Sequence, residues 1–255
     1  MNLEKITETE YPDLQEYVSM EPTHRAARTI LFDAYEMFQE DTNENFFSPS
    51  VHNANIPEKE HELARGMFLL LAEKYSSEDI TAFSVELGEY QSKFEIFNAG
   101  IFISAMINVH FKKTQSQKEY RIITSHLEKA IDNIGILNCG AKIRVDGDVG
   151  RNLGAKMKSG TITVEGNAGV LVGSSMHGGT ISVRNAGNCL GLSLHGGAIH
   201  VSGSSGKFIG ENMQYGTIFL DGTYERSNIS KDFRNGEIIF QGKRISLYDL
   251  TEDGL

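Results

Sequence analysis

Serine and histidine residues near the middle of the chain have the types and spacing of a nucleophile and its base. Ser175 and Ser193 lie in GSSMHG and GLSLHG, which differ from the GxSxG elbow of serine hydrolases by a histidine at the last glycine. His177 and His195 stand two residues after these serines. Since a neighbouring imidazole can take the proton of an attacking serine hydroxyl, an esterase-like hydrolase is one hypothesis for this stretch.

The glycines around these serines suggest a second kind of site, a phosphate loop. GDVGRNLG, GNAGVLVG and GSSGKFIG share the pattern GxxGxxxG. A dinucleotide fingerprint needs a strand before its glycines and a helix after them, whereas here another strand pattern follows. GSSGKF lacks the GxxxxGK[ST] spacing of a P-loop, so Lys207 is interpreted as a solvated corner residue.

Composition restricts the class of protein. The formal net charge of -10 disfavours nucleic acid and anionic membranes as partners, because their phosphates would be repelled. The two cysteines, Cys139 and Cys189, form no CxxC pair and fit a reducing cytoplasm. The acidic, polar start does not resemble a secretory signal, and no apolar run approaches the ~18 residues of a membrane helix. We expect a cytoplasmic protein without a cofactor.

Glycine and proline divide the chain into two parts. All four prolines lie in the first quarter, whereas 23 of the 26 glycines follow residue 130. Such a change in composition indicates two architectures. We predict a domain of α+β class over 1–130 and a β-helix over 131–255.

The first part shows helical and alternating apolar patterns. THRAARTILFDAYEMFQED, which places Ala27, Ile30, Leu31, Ala34 and Phe38 on one face, predicts a helix after Pro22. A second helix is predicted from Pro57, with Leu63, Met67, Leu70 and Leu71 on its apolar face. Strict alternation in GIFISAMINVHF predicts a strand, TQSQK a turn, and EYRIITSHL a partner strand. ITAFSVEL and KFEIF could add two strands, giving a small antiparallel sheet covered by two helices.

The second part is an internal repeat. The ranges 142–160, 161–179, 180–197 and 198–216 align as lines of 19, 19, 18 and 19 residues. A degenerate fifth line, 217–236, lacks the middle glycines and is interpreted as a cap, and EIIFQG begins a sixth. Each line offers two alternating apolar residues, then one before the third glycine and one three or four residues later. These four positions are filled by Ile143, Val145, Leu153 and Met157 in the first line, and by Ile162, Val164, Val172 and Met176 in the second.

Apolar residues that recur at one phase stack into a continuous core when the repeats are stacked. A period near 19 residues, with short strands and no helix, predicts a right-handed parallel β-helix of five to six coils spaced about 4.8 Å apart. The glycines are expected at corners, where a positive φ or a close backbone excludes a Cβ. They are Gly147, Gly150, Gly154, Gly166, Gly169, Gly173, Gly187, Gly191, Gly203, Gly206 and Gly210.

These glycine triads resemble the GXGXG-motif β-helix family over residues 135–242. The resemblance is to the C-terminal domain of the glutamate synthase large subunit and to the β-helix subunit of formylmethanofuran dehydrogenase. It implies a non-catalytic structural or assembly role within an oxidoreductase complex, with a protein partner or a second copy of the chain. The resemblance does not extend to residues 1–130.

Stacking also brings His177 and His195 together on consecutive coils, with Cα atoms about 5 Å apart. Two such imidazoles could ligate a metal or sense pH, and the alternative is a solvated side-chain ladder. Five further histidines (His24, His52, His61, His110 and His126) show no HExxH or HxH spacing, and HNAN lies in a long predicted loop. The chain alone is not predicted to be an enzyme. The alternatives are a hydrolase, or a module that binds a small ligand or metal between the two parts or at the histidine ladder.

Overall fold

The computed structural model describes residues 24–43, 61–62, 64–66, 75–91, 98–232 and 234–245. Within these ranges, three full helices precede the sheet: α1 (His24–Asn43), α2 (Ser77–Gln91) and α3 (Ala99–Thr114). Residues 61–62 and 64–66 are also helical and are called the short helical segment below. The strands are β1 (Glu119–Ile123), β2 (Cys139–Asp146), β3 (Ser159–Val164), β4 (Asn167–Ala168), β5 (Thr180–Val183), β6 (Asn185–Ala186), β7 (His195–Val201), β8 (Tyr215–Leu220), β9 (Glu237–Phe240) and β10 (Lys243–Ile245).

The strands form a parallel β-solenoid, which confirms the predicted β-helix. One sheet has the order β1-β2-β3-β5-β7-β8-β9-β10, and every pair is parallel except β9 with β10. A second sheet pairs β4 with β6. From β2 to β9, strands adjacent in the first sheet are about 19 residues apart in the sequence, so each line of the repeat forms one coil of about six.

Register in the sheet aligns one isoleucine from each coil. Beginning at Tyr120, the paired residues are Ile143, Ile162, Ile181, Ile199, Ile218 and Ile238. The six isoleucines are at most 2% exposed. The residues predicted to precede the third glycine (Leu153, Val172, Leu190, Ile209) and those predicted to follow it (Met157, Met176, Leu194, Met213) are all fully buried. The core predicted from the repeat is therefore confirmed.

The corner glycines follow the predicted pattern. Gly173 has φ +65°, and a Cβ there would lie 2.4 Å from Ile199 Cδ1, two lines of the repeat further along the chain. Gly169 has no such φ, but its Cβ would lie 2.8 Å from the backbone of Gly150. Left-handed backbone and close approach of two chains each exclude a side chain.

Two strand predictions in the first part are wrong. GIFISAMINVHF belongs to α3, and ITAFSVEL belongs to α2. Every residue of α3 from Ala99 to His110 is buried, so the odd-numbered and the even-numbered side chains both face protein. The alternation in the sequence therefore does not distinguish a strand from a helix here. A helix that is apolar on all sides is buried on all sides, and this explains the error.

The predicted strand EYRIITSHL is present as β1, but its partner differs from the prediction. β1 pairs in parallel with β2 and so extends the solenoid sheet upstream of residue 130. The described residues of the first part contain no antiparallel sheet. KFEIF lies outside the described residues.

An aromatic cluster joins the helices to one another. Phe102 of α3 lies with its ring centroid 5.0 Å from Tyr35 of α1 and 5.5 Å from Phe83 of α2. The face predicted for α1 is confirmed at Leu31, Ala34 and Phe38, which are buried. Ala27, Ile30 and the apolar positions of the helix predicted from Pro57 lie outside the described side chains.

α3 also lies against the first coil of the solenoid. The Gly135 amide donates to Ser104 Oγ at 2.8 Å, and Ser104 Oγ donates to the Asn133 carbonyl at 3.1 Å. A Cβ at Gly100 would lie 2.0 Å from the Asp132 carbonyl oxygen. One continuous cluster of buried apolar side chains accordingly runs from Leu31 in α1 to Ile245 in β10.

At the other end, the solenoid stops with a reversal of the chain. β8, from the degenerate fifth line, pairs with β7 and with β9, and β9 is the strand that EIIFQG begins as the sixth line. β10 turns back to pair antiparallel with β9 and is the last strand of the sheet among the described residues. None of the described helices is long and apolar enough to cross a membrane.

Candidate functional site

A cleft of about 270 Å³ lies where the short helical segment, α3 and the first coils of the solenoid meet. We call it the junction cleft. Its lining residues are His61, Glu62, Arg65, Asn108, Lys112, Leu137, Cys139 and Lys158. The cleft therefore draws on both parts of the chain, at the kind of interface where the sequence left a ligand site open.

Regular structure places the polar groups of the junction cleft. His61 and Arg65 are four residues apart in helical backbone, and so are Asn108 and Lys112 on α3. Residues at this spacing lie on one face of a helix. Cys139 begins β2, and Lys158 precedes β3, where its amide donates to the Asn138 carbonyl at 2.8 Å. Two helical faces thus meet the N-terminal ends of strands β2 and β3.

Asn108 connects the three elements through its side-chain amide. Its Nδ2 donates to His61 Nε2 at 3.1 Å and to the Ile136 carbonyl at 3.3 Å. Its Oδ1 accepts from the Cys139 backbone N–H at 3.3 Å and from the Cys139 thiol at 3.5 Å. Every donor and acceptor position of this buried amide is used. Asn108 therefore fixes the position of both His61 and Cys139.

His61 is neutral at physiological pH. Burial, with a smaller contribution from the charges of Arg65 and Lys112, lowers the pKa of His61 from 6.5 to about 4. Since Nε2 accepts from Asn108, the ring proton is on Nδ1. Nε2 is occupied by the amide and is not available as a base for the thiol.

Cys139 is a protonated thiol. Burial raises the pKa of Cys139, while the positive charges of Lys112, Arg65 and Lys158 act against that rise. All three cations thus act on one sulfur atom. Because the thiolate is the nucleophilic form, a thiol with a raised pKa is a weak nucleophile.

The three cations give the junction cleft its charge. Arg65, Lys112 and Lys158 form no ion pair with any described residue, and the cleft contains one carboxylate, Glu62. The whole chain carries a formal charge of -10, so a positive cleft is contrary to its general charge. Arginine and lysine are the side chains that proteins use most often to bind carboxylate and phosphate groups.

The predicted histidine ladder is present. The rings of His177 and His195 stack with centroids 4.9 Å apart and planes 6° from parallel. His195 Nδ1 is buried without a hydrogen-bond partner in the described structure. Zinc lies about 2.0–2.1 Å from a histidine nitrogen in the ring plane, and the lone pairs of parallel rings do not converge on one ion. No group of three or more His, Cys, Asp or Glu residues suited to a metal occurs within the described ranges.

The predicted serine nucleophiles occupy a corner of the coil. Ser175 and Ser193 both have φ +51°, and so does Lys156 at the same position of another coil. No hydrogen bond links either serine to the following histidine in the described part of the chain. The left-handed backbone at these serines therefore belongs to the repeating corner, where a lysine adopts it as well.

The histidines of the first part are dispersed. His110 Nδ1 lies 2.8 Å from Tyr120 Oη between α3 and β1, and burial lowers the pKa of His110. His126 Nε2 donates to the Val85 carbonyl at 2.8 Å. His52, with HNAN, and the side chain of His24 lie outside what the structure describes. Of the five, His61 is the one that lines the junction cleft.

A second concavity lies along the outer edge of the sheet, where β3, β5, β7 and β8 end. Glu165, Arg184, His200 and Asp221 are among its lining residues. His200 stacks on Phe219 with centroids 4.3 Å apart, as expected for neighbouring positions of adjacent strands. Its charges are of both signs, so this surface favours no class of ligand as clearly as the junction cleft does.

Sequence reasoning missed most of the junction cleft. The strand predicted over 100–111 placed Asn108 in an alternating pattern, which hid that Asn108 and Lys112 lie one helical turn apart. Read as a helix, Asn108 and Lys112 would have shared a face. Arg65 and Lys158 are separated by 93 positions in the sequence and meet only through the docking of the first part on the solenoid.

Comparison of the chain with protein-family models, with curated proteins and with solved structures gave no match. The resemblance to the GXGXG family therefore stays a prediction, and the junction cleft has to be interpreted from its own residues.

Proposed function

We propose that this protein is a non-catalytic binding protein that uses its β-helix as a scaffold and holds a small anionic ligand in the junction cleft. The observation that carries the proposal is the convergence of Arg65, Lys112 and Lys158, from three separate elements, on one cleft without ion-pair partners among the described residues. Three such charges repel one another, and an anion between them removes the repulsion.

The neutral groups of the junction cleft support binding rather than catalysis. The Cys139 thiol is held protonated by burial, and the Asn108 amide lies between it and His61. Nucleophilic catalysis by cysteine needs a thiolate and a base in contact with it. This arrangement offers a rigid wall of satisfied hydrogen bonds instead.

The assembly role within an oxidoreductase complex, predicted from the repeat, stays a prediction. It does not conflict with ligand binding, because a β-helix that docks onto a partner can carry a ligand at its helical end.

Calorimetric titration of the full-length chain with small anions, at constant ionic strength, tests the proposed function. We expect saturable binding that weakens about tenfold in Lys112→Gln, because a hydrogen bond to a charged group contributes ~1.5–3 kcal/mol. Lys113→Gln is the matched control, since it removes the same charge one position along α3, outside the junction cleft. If no anion binds with a dissociation constant below about 1 mM, the proposal is refuted.

A further inference from the structure

We infer that the ligand of the junction cleft is a compact dianion of the phosphate type, either a free tetrahedral oxyanion or the phosphate group of a small monoester. This inference rests on the proposed function and adds the chemical class of the ligand. It follows from the charge of the cleft, the three separate elements that supply its cations, its size and its occupied hydrogen bonds.

The charge of the junction cleft matches a dianion. Arg65, Lys112 and Lys158 each contribute one positive charge, and Glu62 contributes one negative charge. His61 and Cys139 contribute none near neutral pH, because burial keeps both in their neutral forms. The formal sum is about +2. A monoanion would leave part of this charge uncompensated, whereas a phosphate or sulfate dianion balances it.

The cations approach from three elements. Arg65 comes from the short helical segment, Lys112 from the last turn of α3, and Lys158 from the solenoid. A tetrahedral oxyanion presents acceptor oxygens in several directions, whereas a carboxylate presents two oxygens in one plane. Lysine binds phosphate as a point charge, and arginine does so through its planar fork. Donors that converge in this way favour the tetrahedral ligand.

The volume of the junction cleft limits the size of the ligand. Pockets for drug-sized ligands have volumes of ~300–1,000 Å³. The junction cleft, at about 270 Å³, lies at the small end of that range. We therefore expect a compact ligand, and a triphosphate nucleotide would extend beyond the cleft. Leu137, a half-buried lining residue, offers an apolar contact suited to the carbon stem of a small monoester.

The hydrogen-bond pattern disfavours a neutral ligand. The amide of Asn108 is fully occupied by His61, Ile136 and Cys139. Lining groups with free donors are therefore mainly the three cations, and these are well hydrated in the absence of ligand. Only a ligand that brings negative charge compensates for their loss of water.

Calorimetric titrations of the full-length chain with phosphate, sulfate, acetate, succinate and ATP at one ionic strength test the inference. We expect phosphate and sulfate to bind at least tenfold more tightly than acetate, and ATP to bind no more tightly than phosphate. Binding of acetate or succinate as tight as that of phosphate would overturn the phosphate class while leaving anion binding intact. Absence of binding by all five ligands would overturn the proposed function as well.

Variants connect this binding to the named residues. Lys158→Gln is expected to weaken sulfate binding about tenfold. Glu62→Gln is expected to strengthen it severalfold, because it removes the one negative charge of the cleft. Loss of a merely structural contact would not strengthen binding, so this gain separates the two explanations. Unchanged sulfate affinity in both variants, with thermal unfolding as the check that they are folded, would overturn the assignment of the site.

Discussion

Asn108 Nδ2 and His61 Nε2 lie 3.1 Å apart although 47 positions separate the two residues in the chain. This hydrogen bond joins α3 to the short helical segment, and the opposite side of the same amide holds Cys139 at the start of β2. Asn108 is 4% exposed, so each of these bonds is made away from bulk water. The junction cleft thus depends on one amide to position its neutral wall.

Replacement of Asn108 by alanine is expected to lower the free energy of unfolding by about 2–4 kcal/mol. The variant leaves the Cys139 amide, the Ile136 carbonyl and the His61 ring without a shared partner, and an unsatisfied buried polar group costs ~1–3 kcal/mol. Urea-induced unfolding measures the change. Gln117→Ala, which removes an exposed amide just beyond α3, is the control and should change stability by less than about 0.5 kcal/mol.

Acidification should destabilise the protein through His61. The folded-state pKa is about 4, below the ordinary 6.5, so between these values the unfolded chain binds more protons than the folded chain. The contribution of neutral His61 to the free energy of unfolding is therefore fully present above pH 6.5. It is lost as pH falls toward 4, by up to about 3 kcal/mol. The measurement is urea unfolding of the native chain and of His61→Gln at pH 7.5 and pH 5. The variant should lose less stability across this interval, and an equal loss in both chains would contradict the assignment.

The solenoid could be predicted because its signal repeats. A single line of about 19 residues is ambiguous, but the same four apolar positions in successive lines fix the phase of every coil, and the isoleucines from Ile143 to Ile238 then align. The helical part offers no repetition. In α3, Ile103 and Asn108 are both buried, because the helix lies between the solenoid and the other helices, so no polar face marks its period.

The junction cleft could not be predicted for a related reason. Its residues come from elements whose relative position is decided by packing over long sequence distances. Cys139 and His61 belong to no motif in the sequence, and only the buried Asn108 brings them into one network. The glycine triads and the histidine spacing, by contrast, recur in the sequence because they occupy equivalent positions of successive coils.

The histidine ladder should not hold a metal ion in the purified protein. The parallel rings of His177 and His195, with centroids 4.9 Å apart, direct their lone pairs along separate lines. Elemental analysis of untagged protein is expected to give well below one transition metal per chain, with the same value for His177→Ala. One equivalent of metal that disappears in His177→Ala would show that the rings rotate to form a site.

Glycine at a coil corner is required for packing as well as for backbone conformation. Gly173 and Gly242 both have positive φ, at +65° and +78°. A Cβ at Gly173 would lie 2.4 Å from Ile199 Cδ1, whereas one at Gly242 would meet nothing within 4 Å. Gly242→Ala should therefore cost only the left-handed strain, about 1–2 kcal/mol, and Gly173→Ala a further 1–3 kcal/mol or so from overpacking the isoleucine column. Urea unfolding of the two variants measures the difference, and equal costs would show that the solenoid core relaxes around the added methyl group.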